Sequence, residues 1–267
     1  MKSIHKKIKD KEGDIKLILA LAKDDFKIKF AGSYFGVLWG FVQPLITILL
    51  YWFVFEVGFK SGARPNGIPY ILWLIAGIVP WFFFSEAWAS ATNCFYEYNF
   101  LVKKVVFPIW ILPTVKITSS LFVHLFFIDI LFICFAGYGY YLTIFNVQII
   151  YYLICTIVVV YVFSLITSSI AVFLKDMNQI IGIFIQIFFW AIPIVWAPEN
   201  FSGLVLRILK LNPIYYIVDG YRDSMINKIW FWQKPIYTCY FWIVVVLMFI
   251  IGKFIYKRLK GHFADVL

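Results

Sequence analysis

Long apolar runs recur along the whole chain, separated by short polar segments. About six of them approach the ~20 residues that a helix needs to cross a bilayer core about 30 Å thick. They run from Val37 to Gly58, Tyr70 to Ala89, Pro108 to Ala136, Ile149 to Leu174, Met177 to Trp196, and Ile236 to Tyr256. Polarity does not alternate within them, as it would in the strands of a membrane β-barrel. The pattern predicts an all-α integral membrane protein in which residues 36–267 form a single transmembrane domain. The gaps between runs leave no room for a sizeable soluble domain.

The segments between the runs carry patterns of their own. Before the first span, in residues 1–35, Ile15, Ile18, Leu19, Ala22, Phe26 and Phe30 share one arc of about 120° on a helical wheel, with Lys16, Lys23 and Lys27 opposite. This predicts an amphipathic helix, either lying on the membrane surface against anionic lipid or packed on its own bundle. After the second span, ATNCFYEYNFLVKKVVFP is the most polar stretch within the bundle, long enough for a short helix that exposes Glu97, Asn99, Lys103 and Lys104. It reads equally as a docking surface and as an ordinary solvated turn. Between Pro198 and Pro235, two apolar stretches flank an Leu211-Asn212-Pro213 turn; each is shorter than the ~17 residues of a minimal span. They predict a re-entrant or interfacial hairpin sheltered by the bundle.

Composition sharpens this picture. Of the 267 residues, 63% are hydrophobic and only 14% charged, well below the ~25% that soluble domains usually carry. The net charge of +10 is uneven. Lys2, Lys6, Lys7, Lys9, Lys11, Lys16, Lys23, Lys27 and Lys29 precede the first span, and Lys257, Arg258 and Lys260 follow the last. Flanking cations favour the cytoplasmic side, so both termini are expected inside, together with Lys103, Lys104 and the Lys175-Asp176 turn. Arg207, Lys210, Arg222, Lys228 and Lys234 fall on the other side and run against that tendency. The polar N-terminus does not resemble a cleavable signal peptide.

Two spans carry polar stripes. With Gln43 at zero, Gly36, Gly40, Thr47 and Tyr51 all fall within about 80° on the wheel, and Pro44 frees the Gly40 carbonyl on the same side. On the fifth span Gln179, Gly182, Gln186, Trp190 and Pro193 form a similar stripe. Close helix packing and amide bonding would account for both. So would a route for a bulky polar substrate, with Tyr51 and Trp190 offering ring faces to sugars. The third span holds Lys116, Ser120 and His124 at successive i+4 positions, with Asp129 on another face. Lys116 is expected to snorkel to the inner surface. His124 and Asp129 read as interhelical hydrogen-bond partners rather than as a proton relay.

Little points to catalysis. Neither a DxD nor an HExxH motif occurs, and no GxxxxGK[ST] phosphate loop is present, so the chain is not expected to be an enzyme or to hydrolyse ATP itself. Cys94, Cys134, Cys155 and Cys239 have no metal-site or disulfide spacing. No metal, cofactor or nucleic acid is expected on this chain.

Several local patterns, taken together, resemble the membrane subunit of bacterial ABC exporters that move lipid-linked polysaccharides such as O-antigen, capsule and wall teichoic acid. They are FGVLWGFVQP, GIVPWFFF, NFLVKKVVFPIWILP and LNPIYYIVDGYR, in the family's order and covering nearly the whole chain. Lys175-Asp176 stands where the family commonly has Arg-Asp, and PIVW where a Pro followed by Tyr is usual. The resemblance implies a homodimer in the bacterial cytoplasmic membrane joined by two copies of a separate ATP-binding subunit, which would hold ATP and Mg²⁺. It implies that Asn99, Leu101, Lys103 and Lys104 couple to that subunit. Gln43, Thr47, Tyr51, Gln186 and Trp190 would line the path, with Gly36, Gly40, Pro44, Gly182 and Pro193 shaping the helices around it. Asn212, Pro213 and Arg222 would belong to the family's outer hairpin, and the substrate would be a polyprenyl-pyrophosphate-linked glycan or teichoic acid. An exporter of a small lipid or drug, a polytopic glycosyltransferase and an ion-coupled carrier are the alternatives.

Overall fold

The computed structural model describes residues 2–59, 67–103, 107–196, 198 and 203–267, with side chains from residue 13 on. Lys104 and most of the loop after the first span lie outside the described residues. Among the described residues all regular structure is helical. The chain begins with α1 (Lys2–Lys29) and continues through α2 (Trp39–Trp52), α3 (Tyr70–Thr92) and the short α4 (Cys94–Glu97) and α5 (Asn99–Val102). The second half holds α6 (Leu112–Gly137), α7 (Gln148–Ala171), α8 (Met177–Ala191), α9 (Gly203–Leu209), α10 (Pro213–Arg222), α11 (Pro235–Leu259) and α12 (Phe263–Val266).

Among the described residues, five helical segments are long and apolar enough to cross a membrane: Gly36–Gly58, Tyr70–Thr92, Ile109–Gly137, Ile144–Ala171 and Pro235–Val266. The remaining apolar run forms the shorter α8, which stops at Ala191 instead of reaching Trp196. Pro193 has no N–H to continue the ladder, and Ile192 is extended (ψ 139°). A π-helical turn, Phe53–Gly58, ends the first span.

α3 is the centre of the bundle and packs on α6, α7, α8 and α10. Tyr70, Leu74, Ile78, Phe84 and Ala87 along it are fully enclosed. Pro80 sits inside α3 without ending it, because the helix is surrounded by protein. α2, by contrast, has Ile48 as its one buried residue. It leans on the bundle through Leu45 and Trp52, with Phe41 edge-on to Phe126 at 4.6 Å.

A second cluster closes the end of the bundle that bears α1, α4, α5 and α12, here called the basal end. Phe263 of α12 packs there on Phe95 of α4 (5.0 Å), together with Cys94, Val102, Leu112 and Val172. α1 packs along α6, burying Ala22 and Asp25, while Ile15 and Leu19 stay exposed. The opposite end carries α9 and α10, joined by a short turn; α10 packs on α3 and α7, while α9 has no buried residue. Asn212 caps α10 by accepting from the Ile214 amide at 2.9 Å, with Pro213 in the first turn. α10 is held deeply, and Gly220 permits it: a Cβ there would lie 2.0 Å from the Tyr152 ring.

Candidate functional site

The two polar stripes occupy different surroundings. Gly40, Gln43, Pro44 and Thr47 line a cavity of about 230 Å³ inside the subunit, between α2 and the rest of the bundle. Its other walls are Lys29 and Phe30 from the end of α1, Phe83, Ser85 and Glu86 from α3, and Ser120 and His124 from α6. Lys29 and Glu86 form an ion pair at this cavity, both partly exposed. The Thr47 hydroxyl donates to the Gln43 carbonyl (3.0 Å), a local bond within α2, which runs on through Pro44. Gly40 allows the close approach of α1, since a Cβ would lie 2.6 Å from the tip of Phe30. Gly36 serves a different purpose: its φ of +51° turns the chain into the first span, and nothing lies near its Cβ position.

Farther along α2, Tyr51 stacks on Phe189 of α8 at 5.5 Å and 25°. There the two helices meet within one subunit. The remaining stripe on α8 turns outward: Gln179, Gln186 and Trp190 are exposed beside Ile183 and Ile187. Space around the Gly182 Cβ position is open. Gln43 and Thr47 therefore do not face Gln186 and Trp190 inside one copy of the chain.

The segment after α8 is held by side chains from two other elements. Arg222, 5% exposed, donates to the carbonyls of Pro193 (2.6 Å), Ile194 (3.2 Å) and Trp73 (3.4 Å), and its guanidinium lies 3.5 Å from the Trp73 ring centre. The Tyr70 hydroxyl donates to Val195 O (2.9 Å) and the Trp196 indole to Trp190 O (2.9 Å). Non-helical backbone among apolar helices is tolerated only when its polar groups are satisfied in this way. Beside Arg222, the Tyr221 hydroxyl shares a 3.1 Å hydrogen bond with His124 Nε2, and the His124 ring stacks on Phe83 at 4.5 Å. Asp129 lies on the exposed side of α6, near Leu125 and Ile133.

At the basal end Lys116 does not snorkel. It is 5% exposed and pairs with Asp25 of α1 and Glu97 of α4, with its ammonium 5.3 Å from the Tyr98 ring centre. Tyr98 also donates to Asp25 (2.9 Å), and burial together with that carboxylate pushes its hydroxyl pKa up, so it remains a donor. Sequence reasoning missed Asp25, although it stands at the edge of the apolar arc of α1, where an acid would need a buried partner. Asn99 and Lys103 are exposed on or beside α5, and Leu101 packs against the basal cluster.

Two cations that ran against the charge bias are accounted for by protein partners. Arg222 is enclosed, and Lys234 pairs with Asp219 and Asp223 of the hairpin. Burial lowers the Lys234 pKa, but the two carboxylates outweigh it and hold the group above its ordinary value.

A family profile described as "ABC-2 type transporter" matches residues 16–226. The chain is 26% identical over 261 residues to an O-antigen export system permease protein RfbA of Klebsiella pneumoniae, covering 94% of this chain and 95% of that protein. It is 24% identical over 212 residues to an O-antigen export system permease protein RfbA of Myxococcus xanthus, covering 77% and 78%.

Proposed function

The chain belongs to the ABC-2 type transporter family, and from that premise we propose that it is the membrane subunit of an ATP-driven exporter of a lipid-linked polysaccharide. What carries the reading is likeness, over nearly its full length, to proteins named as O-antigen export permeases. The substrate is a glycan carried on a polyprenyl pyrophosphate, O-antigen-like or teichoic-acid-like. Energy comes from two copies of a separate ATP-binding subunit seated on α4, α5 and α1, where Asn99, Leu101, Lys103 and Lys104 receive it. Both termini and the basal end face the cytoplasm, and the α9–α10 hairpin faces outward.

Two copies of the chain assemble through the exposed faces of α2 and α8. The outward stripe of Gly182, Gln186 and Trp190 supports this arrangement, because polar and small residues on a lipid-facing surface lack the partners that a second subunit supplies. The glycan passes between the copies along Gln186 and Trp190. Gln43, Thr47 and Tyr51 border it from the first span, where Gln43 and Thr47 also line the cavity between α2 and the rest of the bundle. Deleting the chain in its host should abolish surface polysaccharide and leave lipid-linked glycan inside the cell; undiminished display would refute the reading.

A further inference from the structure

We propose that the polar face of α6 is the link that carries motion from the α4–α5 loop to the outer hairpin and the end of α8. The idea rests on the reading that the ATP-binding subunit acts on that loop. Two residues on this face make the joints. Lys116 ties α6 to Glu97 of α4 and Asp25 of α1. Eight residues further, about 12 Å along a stiff helix, His124 is bonded to Tyr221 of α10 (3.1 Å). The next residue, Arg222, grips the Pro193 and Ile194 carbonyls just beyond α8. Polar contacts joined through the backbones of α6 and α10 therefore lead from the basal loop to the segment just beyond the helix that bears Gln186 and Trp190.

Burial gives these joints their mechanical meaning. Lys116 is 5% exposed, His124 3% and Tyr221 fully enclosed. Apolar contacts between packed helices carry no directional bond, and small shear displacements between them occur in proteins. A buried charge or hydrogen-bonded group cannot slide, because losing its partner leaves it unsatisfied. The enclosed Lys116–Asp25 pair therefore binds α6 to α1, the half-exposed Glu97 adds a tie to α4, and displacement of α6 moves α10 with it. Ser120, between the joints, lines the cavity behind α2, so the same movement alters that cavity.

The test uses the full complex of this chain with its ATP-binding subunit in proteoliposomes. Tyr221→Phe keeps the ring and removes the hydroxyl that meets His124, and Lys116→Met made together with Asp25→Asn cuts the basal joint without stranding a buried acid. Each variant should hydrolyse ATP at the wild-type rate while glycan moved per ATP falls about tenfold, a size typical of coupling between sites. Combining the basal change with Tyr221→Phe should be no worse than the weaker of the two alone, as expected for joints in one series. Hydrolysis and transport falling in proportion, or an unchanged ratio, would overturn the link. A readout that needs no cargo separates this from the functional reading: the ATP-dependent change in labelling of Trp190→Cys, in a Cys239→Ser background. That change should occur with native Tyr221 and vanish with Tyr221→Phe; persistence would overturn the link whatever the substrate is.

Discussion

Gly77 of α3 makes room for Arg222 of α10: a Cβ at position 77 would lie 2.4 Å from Nη2 of the guanidinium. The closeness matters because the same guanidinium satisfies the carbonyls of Pro193 and Ile194 where α8 has stopped. Gly77→Ala should push the guanidinium aside and leave those carbonyls without a donor, at about 1–3 kcal/mol for each buried group left unsatisfied. Thermal unfolding in detergent should show a clear drop in midpoint, and limited proteolysis should show the hairpin opening first. An unchanged midpoint would mean that the clamp contributes nothing.

Lys116 and its acids make a second stability prediction. Lys116→Met should leave Asp25 buried and uncompensated, a loss of about 3–5 kcal/mol for a broken buried pair. Adding Asp25→Asn removes the stranded charge and should recover much of the loss. The comparison is between unfolding midpoints of the single and double variants in the same detergent. A double variant as unstable as the single one would show that charge burial is not the cause.

The hairpin pair should respond to alkali in a defined window. The Lys234 pKa is raised in the folded protein, so the stability it contributes is fully present below its unfolded value of 10.5 and is lost as pH rises through the higher folded value. The difference in unfolding midpoint between the wild type and Lys234→Met should therefore hold steady from neutral pH to 10.5 and shrink only above it. A difference that faded at lower pH would contradict the raised pKa.

Gly182 separates packing within a subunit from packing between subunits. With open space at its Cβ position, Gly182→Leu should leave the isolated chain at least as stable as wild type, since replacing a glycine inside a helix gains up to about 1 kcal/mol. Transport and subunit association, measured by crosslinking in membranes, should fall sharply. Normal transport by this variant would remove α8 from the assembly surface.

Much of the architecture was legible in the runs of apolar residues, because a bilayer imposes length and polarity on every segment that crosses it. The two short helices and the turn between them were readable too, from the shortness of the apolar stretches and from Asn212-Pro213, which caps α10 as such pairs do; the shelter expected for both is seen for α10, while α9 stays largely exposed. The end of α8 was not. A run from Met177 to Trp196 reads as one span, and the stop before Pro193 depends on donors from distant stretches, Arg222 and Tyr70, that satisfy the carbonyls of residues 193–195. The stripes were found by the wheel, but periodicity says which residues share a face and not what that face meets. Gln43 and Thr47 border a cavity of their own subunit, and Gln186 and Trp190 turn outward. Lys116 was misjudged because snorkelling is the ordinary answer for a lysine near a span end, and its two partners lie 91 and 19 residues away.

The central claim is ATP-driven export of a lipid-linked polysaccharide, and one reconstitution measures it. The chain and its ATP-binding subunit would be placed in proteoliposomes with a polyprenyl-pyrophosphate-linked glycan. Access of the glycan to a lectin would then be followed from the side that the α9–α10 hairpin faces. The account predicts that the glycan appears there only when ATP is hydrolysed, and that Trp190→Ala together with Gln186→Leu slows its appearance while hydrolysis continues. Appearance without ATP, or none with ATP in a complex that hydrolyses it, would contradict the account.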